Sequence, residues 1–264
     1  MLETATLALC IACGAPIDRP GVAEVDVELV LAVDVSRSMD PSELVLQRAG
    51  YAAALRHPDV LDAIRRSARG RIALTYFEWA GGIETGSIVG WRIIDGPASA
   101  EAFASEIESR VADSRFGTSI SGAIDHAAGL FDGNGIESPR RVVDVSGDGP
   151  NNDGRAVTLA RDAAVSAGIV VNGLPILINP SRTFRELDRY YAECVMGGPG
   201  AFVLPVYDQG ELSIAIRRKL VLEISGLEPD ASTMPAAARR PIDCTAGERD
   251  QRFQPAINVP PSDW

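Results

Sequence analysis

The sequence predicts an α/β fold, a doubly wound, Rossmann-like and mostly parallel sheet flanked by helices. Apolar runs such as Leu29–Val33 are typical of strands that are buried on both faces. From residue 25 to residue 225, such runs alternate with stretches whose apolar residues recur at helical spacing. Strands joined by helices run parallel, and the helices then cover both faces of the sheet.

Local signals along the chain place the individual elements. Pro41 and the acidic Glu43 mark the start of the first helix. Three cations at 217–219 lie near the end of the last helix, where the helix dipole favours them. The third strand alternates weakly, as an antiparallel edge strand would. The predicted strands are residues 25–33, 71–79, 87–94, 141–145, 169–176 and 201–206, and the predicted helices are residues 41–56, 99–111, 119–131, 156–167, 183–194 and 208–222.

Three regions of the chain differ in composition. Residues 1–20 contain a short apolar stretch that ends in small residues, which makes them a possible signal segment. Residues 25–225 form the predicted domain. Residues 226–264 are rich in proline and poor in large apolar residues, so we expect a disordered tail.

The possible signal segment favours a periplasmic or otherwise exported protein. Glu3 stands where a signal sequence usually has a basic residue, so a cytoplasmic protein remains the alternative. Cleavage would leave Cys194 and Cys244, which could pair in an oxidising compartment. Sequence spacing does not show whether their Cα atoms approach closely enough for a bond. Two unpaired thiols are the favoured interpretation.

The charge balance excludes some classes of partner. Lys and Arg number 25 against 36 Asp and Glu, which gives a formal net charge of −11. An acidic surface repels phosphate, so we expect no general binding to nucleic acid or to anionic membranes. No apolar run reaches the length of about 18 residues that a transmembrane helix requires, so we expect no transmembrane segment.

Oxygen-bearing side chains follow the strand ends, where open α/β sheets bind their ligands. The first strand runs into Asp34, Ser36 and Ser38, in the pattern D-x-S-x-S. Thr118 lies at the start of a predicted helix, and Asp148 stands between two glycines after the fourth strand. Hydroxyl and carboxylate oxygens are hard ligands that suit Mg²⁺ or Mn²⁺. The sequence therefore predicts a metal site.

These segments together resemble the metal-ion-dependent adhesion site (MIDAS) of von Willebrand factor type A domains. The resemblance implies five ligands, Asp34, Ser36 and Ser38 from the first motif, Thr118 from the loop, and Asp148 from the turn after the fourth strand. Gly147 departs from the family, which usually has threonine there, and this leaves the local turn geometry open.

Further segments resemble a bacterial branch of the type A superfamily, the domain-of-unknown-function family 1194. The similar segments are Phe77–Trp79, Val143–Asn152, Val171–Leu174 and Gly197–Phe202, within roughly residues 26–224. Members of this family resemble exported proteins, and the family has no established activity. The resemblance therefore implies a fold and a metal site but no substrate.

The type A resemblance implies a binding module rather than an enzyme. Its metal ion would hold the acidic side chain of a protein partner. One alternative is a scaffold domain in which the metal only stabilises the fold. The other alternative, a magnesium-dependent enzyme, is disfavoured because a phosphatase that uses Asp34 would need a second aspartate where Ser36 stands.

Four more polar residues are candidates for the surroundings of the site. Asp144 lies among valines in a strand, where it either orients a ligand or bonds to backbone, Arg140 or Arg141. Glu78 ends the second strand and either borders the site or packs a loop. Asn151 and Asn152 shape the turn after Asp148, with a place at the border of the site as the alternative.

Overall fold

The computed structural model of the protein describes residues 21–39, 41–110, 114–178, 184–227 and 241–252. The strands are β1 (Ala23–Glu24), β2 (Glu28–Asp34), β3 (Ile72–Trp79), β4 (Ile83–Ile94), β5 (Ile136–Glu137), β6 (Arg141–Gly147) and β7 (Ile169–Pro175). The helices are α1 (Pro41–Arg56), α2 (Pro58–Arg66), α3 (Pro97–Glu108), α4 (Ile120–Gly129), α5 (Val157–Ser166), α6 (Leu187–Tyr190), α7 (Leu212–Ser225) and α8 (Ala246–Arg252). A π-helical turn, Tyr191–Val195, continues α6, and a 3₁₀ turn, Gln209–Glu211, precedes α7.

The main sheet has the strand order β4-β3-β2-β6-β7. Strand β2 pairs in parallel with β3 and β6, and β6 pairs in parallel with β7. Strand β4 runs antiparallel along β3 at the edge, as its weak alternation predicted. The short strands β1 and β5 form a separate parallel pair. The predicted doubly wound, mostly parallel α/β fold is confirmed.

Helices cover both faces of this sheet, because the side chains of a strand point alternately to either side. Leu29 and Leu31 of β2 pack into one apolar cluster with residues of α1, α2, α3 and α7. Val30 and Ala32 pack into the other cluster with α4, α5 and the π-helical turn. Strand β2 is buried along its whole length, which explains its continuous apolar run.

The order of the strands creates a crevice above β2 and β6. The chain passes from β2 to β3 and β4 on one side, and then continues with β6 and β7 on the other side of β2. The carboxyl ends of β2 and β6 are adjacent, since Val33 lies opposite Ser146. In open α/β sheets, ligands bind at such a point, where the strand order reverses.

Two predicted elements differ in the structure. Residues 201–206 do not form a strand, although Val203 and Val206 make isolated parallel bridges beside β7. Pro205 between them has no N–H to donate to a ladder, which interrupts regular pairing. The helix predicted at 183–194 is shorter and consists of α6 with the π-helical turn; residue 183 lies outside the described residues.

Part of the C-terminal region lies within the described residues. Residues 241–252 are described and contain α8. Cys194 and Cys244 form a disulfide with Cα atoms 5.5 Å apart, so the interpretation as two unpaired thiols is wrong. A covalent bond anchors this segment where its composition offers little apolar surface. The rest of the predicted tail, residues 228–240 and 253–264, and the possible signal segment lie outside the described residues.

Candidate metal centre

Four predicted site residues come together above β2 and β6. Asp34 ends β2, is fully buried, and accepts a 2.7 Å hydrogen bond on Oδ1 from the Ser36 N–H. The hydroxyls of Ser36 and Ser38 lie 2.9 Å apart. The Ser38 hydroxyl donates to Asp148 Oδ1 at 2.7 Å. One chain of hydrogen bonds therefore links both predicted carboxylates through the two serines.

Thr118 lies beside this chain, on the loop that leads into α4. A Cβ atom added at Gly149 would be 3.9 Å from the Thr118 hydroxyl, which places this hydroxyl next to the residue that follows Asp148. Thr118 is buried, and Ser119 rather than Thr118 caps α4 by accepting from the Gly122 N–H at 3.2 Å. The Thr118 hydroxyl is therefore not used as the helix cap.

Backbone contacts fix the Thr118 loop to the ends of β2 and β3. The Arg37 N–H donates to Arg115 O at 2.9 Å, and the Gly81 N–H donates to Phe116 O at 3.1 Å. A Cβ atom at Gly81 would be only 2.6 Å from Phe116 O. Gly117 has a φ of +84°, in the left-handed region that favours glycine. The two glycines thus allow the loop to lie directly against the sheet.

The two carboxyl groups resist ionisation in this arrangement. Burial, followed by the neighbouring Asp148 carboxylate, raises the pKa of Asp34 well above its usual value, against the lowering effect of the Ser36 hydrogen bonds. Burial also raises the pKa of Asp148 to about 6, with a further upward contribution from Glu43 of α1. A nearby cation would stabilise both carboxylates, since opposite charge favours the ionised form.

The donor set fits a hard divalent cation. Asp34 Oδ2 is buried and has no hydrogen-bond partner among the described residues, whereas buried polar atoms are normally satisfied. The surrounding oxygens belong to two carboxylates and three hydroxyls, which suit Mg²⁺ or Mn²⁺ better than softer metals. The described part of the chain contains no group of three or more His, Cys, Asp or Glu residues placed so that they could hold a metal ion, so any metal here would depend on the hydroxyls.

Steric contacts explain why Gly147 stands where the type A pattern usually has threonine. A Cβ atom at Gly147 would lie 2.8 Å from Asp34 Oδ2 and 2.8 Å from the phenol oxygen of Tyr191. A Cβ atom at Gly173 of β7 would lie 2.6 Å from the Tyr191 ring. The two glycines therefore make room for Tyr191, whose buried hydroxyl has no hydrogen-bond partner among the described residues. Sequence reasoning missed Tyr191.

Asn151 and Asn152 hold the loop after Asp148 against the Thr118 loop. Asn152 Oδ1 accepts from the Thr118 N–H at 2.8 Å, and the Asn152 N–H donates to Thr118 O at 2.8 Å. The fully buried Asn151 accepts on Oδ1 from the Ser121 N–H at 2.9 Å. Both residues therefore connect two loops of the candidate site.

Glu78 is bonded to side chains of α1 and β3. Its carboxylate is buried and accepts from Arg48 of α1 at 2.5 Å and from the Tyr76 hydroxyl at 2.7 Å. These partners give Glu78 a structural role between β3 and α1, and its place at the border of the site stays a prediction. Trp79, the next residue along β3, points to the other face of the sheet and is fully buried.

Asp144 belongs to a buried charged cluster below the site. Its Oδ1 lies 2.7 Å from Lys219 Nζ, and its Oδ2 accepts weakly from the Tyr51 hydroxyl at 3.4 Å. The prediction that Asp144 bonds to backbone, Arg140 or Arg141 is wrong, because Lys219 of α7 supplies the positive charge. Nothing in the sequence near Asp144 indicates this partner, which is 75 residues away along the chain.

An exposed pair of side chains borders the candidate site. The Arg37 guanidinium, between Ser36 and Ser38 in sequence, stacks on the Phe116 ring with its carbon 3.7 Å from the ring centroid. Phe116 is 74% exposed, which is unusual for a large apolar side chain. This pair adds a positive charge and an apolar surface beside the two carboxylates.

Solved structures with the same fold share little sequence with this chain. Proximal thread matrix protein 1 from the mussel byssus aligns with a TM-score of 0.56 and 16% identity, over 77% of this chain and 49% of that chain. Another structure of the mussel protein, with a zinc-occupied MIDAS motif, aligns with a TM-score of 0.54 and 16% identity over the same shares. A von Willebrand factor type A structure from Catenulispora acidiphila aligns with a TM-score of 0.51 and 15% identity, over 76% and 43%.

These alignments show the type A fold and no more than the fold, because identity is low. The chain spans less than half the length of these solved proteins. None of the curated proteins matches it. Among the helices of the described residues, none has both the length and the hydrophobicity to cross a bilayer. The profile of a family described as "Protein of unknown function (DUF1194)" matches residues 24–228, so the chain, which has the type A fold, belongs to this family.

Proposed function

We propose that the protein is a divalent-metal-dependent binding module that holds Mg²⁺ or Mn²⁺ and receives an acidic side chain from a protein partner. The observation that carries this proposal is the buried, unpartnered Asp34 Oδ2 beside the hydrogen-bonded chain of Ser36, Ser38 and Asp148. Without a cation, this oxygen is left desolvated in the described structure, which is energetically costly.

The hydroxyls of Ser36, Ser38 and Thr118 and the carboxylates of Asp34 and Asp148 would hold the cation. The two carboxylates balance the formal charge of a divalent cation, and the three hydroxyls add no charge of their own. When bound, the cation supplies a positive centre that attracts an external carboxylate. Hard divalent cations commonly keep positions for water or for an added oxygen ligand.

The surface around the site supports a protein partner. The whole chain carries a net charge of −11, so an acidic partner is repelled except where positive charge is concentrated. Arg37 provides such a charge, and the exposed Phe116 ring provides an apolar contact next to it. The zinc found in the MIDAS motif of the mussel protein supports a divalent cation in this fold.

We also propose that the protein works outside the cytoplasm. Structural disulfides persist in oxidising compartments, and the Cys194–Cys244 bond supports that location. Expression of the full chain in a Gram-negative host, followed by fractionation, tests this proposal. We expect the protein in the periplasmic fraction without free thiols at these two positions; recovery only from the cytoplasm would contradict it.

Thermal unfolding with EDTA and then with Mg²⁺ or Mn²⁺ tests the metal site. A cation at 100 times its Kd stabilises a fold by about 2.7 kcal/mol. At roughly 2–4 °C per kcal/mol for a domain of this size, the Tm should rise by about 5–11 °C. In Asp34→Ala, we expect the rise to disappear while the fold persists, because the variant loses a central carboxylate.

Asp132→Ala provides the matched control. Asp132 is an exposed aspartate in the turn after α4, at the opposite end of that helix from Thr118. This variant should retain the full rise in Tm. An equal rise in wild type and Asp34→Ala would show that the metal binds elsewhere, and no rise in the wild type would overturn the metal site itself.

A titration with short acidic peptides separates partner binding from a purely stabilising metal. Binding and metal affinity are linked, so a carboxylate that contacts the cation must also tighten the binding of the cation. We therefore expect aspartate-containing peptides to lower the Kd for Mn²⁺, and matched asparagine peptides to have no effect. If neither peptide changes the Kd for Mn²⁺, the proposal of a partner carboxylate is contradicted, and the proposed metal site is unaffected.

A further inference from the structure

We propose that residues 241–252, here called the C-terminal strap, position the loops of the metal site and so set its affinity for the cation. This inference rests on the proposed function, because it concerns the same site. The strap lies outside the region 24–228 that the family profile matches. Among the described residues, it is joined to that region by the Cys194–Cys244 bond, by apolar packing of Ile242 and Cys244, and by polar and steric contacts.

The start of the strap is anchored beside the π-helical turn. Cys244 is bonded to the fully buried Cys194 within that turn. Two residues earlier, the Ile242 N–H donates to Glu193 Oε2 at 3.0 Å. The turn itself packs in the apolar cluster below β6 and β7. The strap is thus fixed to a rigid part of the domain at this end.

The middle of the strap contacts the loop that follows Asp148. Glu248 Oε1 accepts a hydrogen bond from Asn151 Nδ2 at 2.9 Å. A Cβ atom at Gly247 would be 2.2 Å from Asn151 O and 3.2 Å from the Pro150 ring. The backbone of the strap therefore lies in direct contact with the backbone at Asn151, at a distance that only glycine permits.

Asn151 and its neighbour pass this restraint to the metal site. Asn151 Oδ1 accepts from the Ser121 N–H in the first turn of α4, and Asn152 exchanges two hydrogen bonds with the backbone of Thr118. Asp148 lies only three residues before Asn151 on the same loop. Displacement of Asn151 would therefore shift both the Thr118 side and the Asp148 side of the predicted ligand set.

The contacts of the strap with the loop after Asp148 are concentrated at Pro150 and Asn151. A cavity of about 600 Å³ separates the next part of the loop, residues 152–156, from Thr245, Glu248 and Arg249. Beyond Asn151, the strap and the loop are therefore not closely packed against each other. The contacts of Gly247 and Glu248 with Asn151 then become the positions where a substitution should act on the site.

Hydrogen exchange of the metal-free full chain tests the positioning directly. We expect the amides of Thr118, Ser121 and Asn152 to exchange at least tenfold faster in the double variant Cys194→Ala/Cys244→Ala than in the wild type. The amides of β2 should exchange at unchanged rates, which shows that the fold is intact. Unchanged exchange at all three loop amides would overturn the proposal, whether or not the protein binds metal.

Titration with Mn²⁺ tests the consequence for affinity. Groups that orient metal ligands typically contribute 10–100-fold to affinity. We expect Gly247→Ala and Glu248→Ala to raise the Kd for Mn²⁺ by about tenfold. Glu248→Gln keeps an oxygen that can accept from Asn151, so it should restore the wild-type Kd. A purely structural role of the strap would lower the Tm without this rescue of affinity.

Gly129→Ala is the control for the glycine substitution, since a Cβ atom there meets nothing within 4 Å. It should leave the Kd for Mn²⁺ unchanged. If the wild type binds Mn²⁺ and all strap variants bind equally well, the strap proposal fails and the metal site stands. If the wild type binds no Mn²⁺ but the loop amides respond to the strap variants, the metal site fails and the positioning of the loops stands.

Discussion

Gly147 shows how one residue beside the candidate site is adapted to the rest of this chain. The usual threonine would place its Cβ atom against Asp34 Oδ2 and the Tyr191 hydroxyl, each 2.8 Å away. Real Cβ atoms do not approach other heavy atoms this closely, so the side chain must be absent or the neighbours must move. The departure from the motif therefore reflects the space that Tyr191 takes and leaves the predicted ligand Asp148 in place.

Substitution of Gly147 tests this explanation. Gly147→Ala should destabilise the metal-free protein by about 1–3 kcal/mol, the usual range for overpacking a buried site. Tyr191→Phe alone should be nearly neutral, because the hydroxyl that it removes is buried without a partner among the described residues. Chemical denaturation of the two single variants and the double variant gives their coupling energy. We expect Tyr191→Phe to recover part of the loss; additive effects would contradict the steric explanation.

The sequence pattern predicted which residues meet at the site but not all of their surroundings. Asp34, Ser36, Ser38 and Asp148 follow strand ends, and parallel strands bring their carboxyl ends to one edge, so their proximity follows from topology. Asp144 and Glu78 depend on partners in distant helices, Lys219 and Arg48, which no local pattern indicates. Whether the predicted ligands bind metal stays a prediction.

Helix α7 and strand β6 are joined by buried charges rather than by apolar packing alone. Lys219 of α7 contacts both Asp144 of β6 and Glu223 of its own helix, and all three are buried. Asn172 of β7 donates to Glu223 Oε1 at 3.0 Å. One lysine faces two carboxyl groups here, so full ionisation of both leaves a net negative charge in the interior. Such a charge is costly when it is removed from water.

This cluster predicts a fall in stability as the pH rises. Burial, then the Asp144 charge, raises the pKa of Glu223 from 4.5 to about 7 in the folded protein. The folded state therefore holds a proton more tightly than the unfolded state. Its stabilisation is fully present below about pH 4.5 and is lost as the pH rises through about 7, by at most about 3 kcal/mol.

Glu223→Gln isolates this contribution from that of other groups. The groups that face Glu223 are Lys219 on α7, Asp144 on β6, Tyr51 on α1, Asn172 on β7 and Arg140 before β6. The variant keeps an acceptor for Asn172 and leaves Lys219 paired with Asp144. With EDTA present throughout, we expect the difference in unfolding free energy between variant and wild type to grow in favour of the variant from pH 5 to pH 8. Parallel pH profiles would show that Glu223 does not titrate in this range.

The predicted and observed helices and strands show which sequence signals are sufficient to place an element. Helix α1 occupies the predicted residues 41–56, because Pro41 and Glu43 mark its start. The predicted strand at 201–206 failed because its apolar residues resemble a strand, although Pro205 interrupts the pairing. Short apolar runs do not by themselves distinguish a strand from an extended segment that lies along a sheet.

At the scale of the whole molecule, the fold could be predicted and the covalent link could not. Alternating strands and helices determine a doubly wound sheet through the handedness and packing rules that govern such chains. The Cys194–Cys244 bond joins residues 50 positions apart, across a segment whose composition predicted disorder. A disulfide needs two Cα atoms within a narrow distance, and only the folded chain shows that distance.

The disulfide also predicts a measurable contribution to global stability. A bond that closes a loop of 50 residues restricts the unfolded chain, which corresponds to roughly 2–4 kcal/mol. At roughly 2–4 °C per kcal/mol, the oxidised protein should unfold about 4–16 °C above the protein reduced with a phosphine. Cys194→Ala/Cys244→Ala should unfold near the reduced wild type and should not respond to reductant. Because Cys194 is fully buried, a single Cys194→Ser change would add a desolvated hydroxyl and overstate the effect. Equal Tm values for oxidised and reduced wild type would show that the bond constrains only the C-terminal strap and not the unfolding of the domain.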